Sequence, residues 1–68
     1  MFQTHDVVAL MEDMLDKGLR RGQIGTIVEQ WQDDVFEVEF SDTHGVSYAI
    51  EALKADQLMR LYSQPIAS

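Results

Sequence analysis

The chain has 68 residues and no cysteine, and its 12 acidic against 5 basic side chains leave a net charge of −7. A domain of this size buries only about 60% of the surface its unfolded chain exposes. A two-domain cleft, a disulfide frame, a thiolate metal site and a cysteine nucleophile are thereby excluded, while an apolar fraction of 46% argues for a folded core.

The segment Met1 to Asp6 lacks the basic stretch and apolar run of a secretory signal. The longest apolar run, Val7 to Met11, falls far short of the roughly 20 residues of a membrane span, so a cytoplasmic location without membrane attachment is expected. Val7 to Leu10 is β-branched and apolar and predicts a first strand. Met11 to Gly22 is charged and has no β-branched residue; Leu10, Met14 and Leu15 share a helical spacing, but two turns are marginal alone, so a long excursion loop with one helical turn is predicted. Gly25 to Trp31 predicts a second strand, entered through a bend at Gly22-Gln23-Ile24-Gly25. After the turn Gln32 to Asp34, the run Val35 to Phe40 alternates with period two, directing Phe36, Val38 and Phe40 to the core and Glu37 and Glu39 to water. The polar turn Ser41 to Gly45 leads to a fourth strand, Val46 to Ile50, with Val46, Tyr48 and Ile50 on one face. A 3₁₀ turn over Ala55 to Leu58 precedes a last strand, Met59 to Tyr62. Residues 63–68, with the only proline, are expected to be a flexible tail to a single domain over residues 1–62.

Five short strands in so few residues cannot bury both faces of an open sheet, and curling into a barrel removes most edges. The predicted fold is therefore all-β: a small five-stranded SH3-like barrel with a long loop between the first two strands and a 3₁₀ turn before the last. An unpaired edge on the first or last strand is the expected route to a homo-oligomer.

The runs Asp6 to Leu10, Glu12 to Leu19, Arg20 to Glu29, Phe36 to Phe40 and Leu53 to Leu58 together resemble the small bacterial family named domain of unknown function 4926, over about residues 2–62. That resemblance implies an SH3-type barrel. Its Gly-x-x-Gly step is similar to that of KOW-type ribosomal and transcription-factor modules and of small photosynthetic and nitrile-hydratase barrels. Such folds mostly bind something and do not catalyse alone.

No catalytic pattern stands out against its simpler structural explanation. His5 precedes a strand and His44 lies in a turn, without the spacing of a metal site, so no metal and no cofactor are expected. The carboxylate pairs Glu12-Asp13, Asp33-Asp34 and Glu37-x-Glu39 read as solvated surface charge, because acid/base work needs a carboxyl buried in a cleft. No serine has a nucleophile-elbow motif. Gly22 to Gly25 leads into a strand and lacks the lysine of a phosphate loop. Lys17, Arg20 and Arg21 form a basic corner that an alternative reading uses for nucleic acid or the ribosome, but five cations set against twelve anions disfavour it. Trp31 is either a lid on the core or an exposed anchor. Met11, Met14 and Leu15 are apolar side chains amid charge, suited to a partner surface or to closing the barrel end. The leading expectation is a non-enzymatic protein-interaction module, in one form an antitoxin- or immunity-like partner of a basic protein. Its contacts would come from Met11, Met14, Leu15, Lys17, Arg20, Arg21, Trp31, Glu37 and Glu39.

Overall fold

A computed structural model describes residues 2–42 and 44–63. Five strands, β1 (Asp6–Leu10), β2 (Ile24–Gln32), β3 (Val35–Ser41), β4 (Ser47–Lys54) and β5 (Leu58–Ser63), are joined by a long loop holding a 3₁₀ turn (Leu15–Lys17), two hairpin turns, and a second 3₁₀ turn (Ala55–Gln57). All pairings are antiparallel, and the sheet order is β4-β3-β2-β1-β5.

The all-β class and element order follow the sequence pattern, with four differences. The sheet is not closed: among the described residues no ladder joins β4 to β5, so these two strands are its edges. β1 is internal, paired to both β2 and β5, and so offers no free edge. β4 runs four residues beyond the predicted Ile50, because Glu51 to Lys54 continue to pair with β3 as far as Val35. Finally, Ser63 ends β5 opposite Asp6 and is no part of a tail; the remaining tail residues 64–68, like Thr43 of the second hairpin turn, lie outside the described residues.

The two faces of the sheet follow from the register. Val8, Gly25, Phe40 and Ala49 make one inward row across four strands, and Val8, Ile27, Phe36, Val38, Phe40 and Leu53 form the centre of the core. Leu10, Leu58 and the loop residue Leu19 complete it, with Phe2 set edge-on against Phe36 at 5.5 Å between ring centres. The opposite row, Tyr62-Val7-Thr26-Glu39-Ile50, crosses all five strands on the outer face. Val46, Tyr48 and Ile50 are all exposed, but Val46 precedes β4 and the register shifts between Ser47 and Ala49, so the three do not form one regular strand face. It is Ala49 and Leu53 that β4 gives to the core.

Gln57 ties the end of β4 to the chain leaving β1. Its Oε1 accepts from the Lys54 N–H at 2.8 Å, its carbonyl accepts from the Met11 N–H at 2.8 Å, and its Nε2 donates to Glu12 Oε1 at 3.1 Å. With the Lys54 N–H satisfied there, β4 gives way to the 3₁₀ turn that leads into β5.

At the other end of β1, Asp6 is the one buried charged side chain among the described residues, 1% exposed. Its Oδ2 accepts from the Gln3 N–H at 2.8 Å and lies 3.9 Å from Arg60 Nη1, while its own N–H donates to the Gln3 carbonyl at 3.0 Å. This short turn holds His5 at φ 77°. Removing the acceptor leaves the Gln3 N–H without its partner, so Asp6→Ala is expected to destabilise the fold by about 1–3 kcal/mol. Asp6→Asn, which keeps an acceptor oxygen, should cost less. Thermal unfolding of the two variants checks the order, and equal stability would contradict this role for the carboxylate.

Candidate functional site

The long loop is built more tightly than its polar sequence suggests. Met14 and Leu19 exchange backbone bonds at 2.9 and 3.0 Å, and Gly18, at φ 72°, closes the 3₁₀ turn with its N–H on the Leu15 carbonyl. Asp13 Oδ1 accepts from the Arg21 N–H at 2.9 Å, and the Arg20 N–H donates to Gln23 Oε1. Leu19 is fully buried and Met14 half-buried against the core, so the loop is pinned by its own apolar residues. A single leucine between charges carries no periodicity, so the sequence does not mark Leu19 as core. Leu15, by contrast, points to solvent at 64% exposure.

The basic corner is partly engaged. Lys17 Nζ lies 3.1 Å from Glu51 Oε1 on β4, while Glu12, Asp13 and Asp16 interleave with Lys17, Arg20 and Arg21 in the chain. Arg21 also borders a shallow depression of about 440 Å³, with Met11 and Met59 supplying apolar wall. Phosphate binding draws its affinity from lysine and arginine contacts; here Lys17 is already engaged, while neither Arg20 nor Arg21 has an ion pair among the described residues.

Acidic and apolar groups come together on the outer face. Ile24 on β2, Tyr48 and Ile50 on β4, and Met59 and Tyr62 on β5 are each about half exposed. Between them on β3 lie the half-buried Glu37 and Glu39, Glu39 flanked by Thr26 and Ile50, Glu37 by Glu29 and Ala52. Like charges directly opposite in a sheet destabilise it by about 0.2–1 kcal/mol, yet Glu29 and Glu37 are register partners. Among the described residues the ion pairs are Lys17–Glu51 and Arg60–Asp6, so none of Glu29, Glu37 and Glu39 has a cation. Tyr48 is held over this face by Gln23 Nε2, which donates to its hydroxyl at 2.9 Å. Trp31 is 56% exposed near the far end of β2, beside the Asp33-Asp34 turn, which makes it an exposed side chain and not a core lid.

The two histidines do not meet in a site. His5 is exposed and its N–H donates to the Ile27 carbonyl at 2.7 Å; His44 is exposed in the second hairpin turn, with its N–H on Asp42 Oδ1 at 2.8 Å. No group of three metal-ligating side chains converges among the described residues, and no helix there is long and apolar enough to cross a membrane.

Residues 4–60 match the family described as domain of unknown function (DUF4926). The chain belongs to the DUF4926 family. Compared with curated proteins and with solved structures, it has no significant match. Within this DUF4926 domain, then, the predicted site residues fall in three places. Met11, Met14, Leu15, Lys17, Arg20 and Arg21 lie in the pinned loop, Glu37 and Glu39 on the outer face, and Trp31 stands apart at the β2–β3 hairpin. Sequence reasoning missed Ile24, Tyr48, Ile50, Met59 and Tyr62, although the alternation in β4 already marked two of them as a set.

Proposed function

We propose that this DUF4926 domain is a non-catalytic interaction module that holds a basic protein partner on the outer face of its sheet. The observation that carries this reading is the pairing of exposed apolar side chains with the uncompensated carboxylates Glu29, Glu37 and Glu39. Apolar contact supplies affinity, and the carboxylates select a partner of opposite charge and speed its approach. We also propose that the sheet is curled in the manner of an SH3-like barrel whose β4–β5 seam is left without a ladder; the strand order and the 3₁₀ turn before β5 support it. An antitoxin- or immunity-like role, in which such a face covers a basic protein, is the form of the reading that suits a net charge of −7 best.

The test uses the full chain as bait at moderate salt, followed by reconstitution of each captured protein with purified domain. A basic protein should bind the wild type and bind Glu37→Lys/Glu39→Lys at least tenfold more weakly, a loss of about 1.4 kcal/mol or more. Glu37→Gln should also weaken the complex while leaving the free domain as stable as before or slightly more so, since it relieves the Glu29–Glu37 repulsion. Equal binding by the charge-reversed variant would overturn the proposal.

A further inference from the structure

Ladder bonds alternate along an antiparallel strand, each residue bonding one neighbour with both its N–H and its C=O. Ala55 donates to the Asp34 carbonyl at 2.8 Å, which sets the phase: Leu53, Glu51 and Ala49 turn their backbone groups toward β3, and Lys54, Ala52 and Ile50 turn theirs away. The Lys54 N–H follows this rule, being bonded to Gln57. Ala52 and Ile50 therefore present their N–H and C=O groups off the edge of the sheet, and both residues are exposed. β4 is regular from Ala49 to Lys54, whereas the β5 edge is interrupted by a bulge opposite Val7 and Val8. Bulges, prolines and inward charges are the usual protection of an edge; the stretch Ala49 to Ala52 has no bulge and no proline, and its one inward charge, Glu51 opposite Val38, is neutralised by Lys17.

We infer that this β4 edge is where the basic partner docks, adding an extended segment as a sixth, antiparallel strand. The inference rests on the partner reading above and specifies how that partner is held. Charge decides between the candidate occupants: a second copy would bring seven further net negative charges to an edge that already faces Glu37 and Glu39. The side chains at the edge also indicate which residues the added strand needs. Beside Ile50, with Tyr48 close by, an apolar residue is covered. Ala52 is small, and beyond it lies Glu37, two strand spacings or about 10 Å from the added backbone. A lysine or arginine crossing Ala52 reaches that carboxylate, whose nearest strand neighbours otherwise leave it facing Glu29. The preferred segment therefore has an apolar and a basic residue two positions apart, both on the outer face.

The test is titration of the ¹⁵N-labelled full chain at low salt with a capped eight-residue peptide in which valine and arginine alternate at every second position, with threonine between. The amides of Ile50 and Ala52 should gain exchange protection. A peptide with glutamate for arginine should bind at least tenfold more weakly, and one N-methylated at its valines and arginines should not protect those amides. Ala52→Pro removes an outward N–H that no ladder bond uses, a change edge strands tolerate, and should abolish protection with the fold intact. Should that variant unfold, the N-methylated peptide decides with the native chain. Equal binding of the N-methylated peptide, protection of the two amides without peptide together with a doubled mass, or no peptide binding at all would each overturn edge docking. If the peptide shifts only Ile24, Met59 and Tyr62, edge docking fails while a basic partner on the outer face stands; capture and reconstitution with the Glu37→Lys/Glu39→Lys variant judge that reading separately.

Discussion

Gly25→Ala is expected to lower the unfolding midpoint by roughly 10–20 °C or to prevent folding. Gly25 sits in the central strand, in register with Val8 on one side and Phe40 on the other. A Cβ built there would lie 2.7 Å from Val38 Cγ1, 2.9 Å from the Glu39 carbonyl oxygen and 3.0 Å from Phe40 Cδ1. Val38 and Phe40 are fully buried and have no room to withdraw, and the carbonyl belongs to the paired strand. Relief therefore requires β2 and β3 to separate where the core is thickest. Overpacking of a filled core costs about 1–3 kcal/mol, and a domain of this size rarely has more than about 3–5 kcal/mol in total. At about 4–8 °C per kcal/mol the shift is large. Gly22→Ala is the informative comparison: its φ of 92° strains an alanine, but nothing lies within 4 Å of the new carbon. It should lose less, about 1–2 kcal/mol. A Gly25→Ala domain that melts within a degree of the wild type would refute the close-approach account.

That pair of glycines shows how far the sequence could be read and where reading stopped. A bend was legible at Gly22 to Gly25, and Gly22 supplies it through its positive φ. Gly25 has another reason, contact with a strand some 15 residues away, which no local pattern states. The same division runs through the fold. Phe36, Val38 and Phe40 declared their face because a half-buried strand alternates in the chain itself. Which strands are edges depends on pairing between distant segments, and β1 proved internal because β5 returns beside it. Asp6 falls in the polar segment before the predicted first strand, yet the turn from Gln3 folds its carboxylate inward beside Arg60. On the outer face, Glu37 and Glu39 were legible as surface, while their opposition to Glu29 depends on the β2 bulge. Met11, Met14 and Leu15 looked equivalent by composition; only Met14 packs on the core, because the Met14–Leu19 bridge turns it inward.

Leu19→Ala is the second large effect expected, a loss of about 2–5 kcal/mol. Leu19 is fully buried although it comes from a loop whose neighbours Gly18 and Arg20 are exposed. It therefore holds the loop against the inner face of the sheet, where the core would otherwise meet water at its open side. Truncation leaves a cavity that the loop can fill only by giving up the Met14–Leu19 bridge at 2.9 and 3.0 Å. The neighbouring Leu15→Ala makes the contrast, since a side chain 64% exposed loses little on truncation and should stay within about 0.5 kcal/mol of the wild type. Hydrogen exchange separates local from global loss. If the loop is a plug, Leu19→Ala should raise exchange at the Gly22 and Arg21 amides, which bond Leu10 and Asp13, as well as lower the melting midpoint. Loop amides that exchange as in the wild type, together with an unchanged midpoint, would show that the core is closed without Leu19.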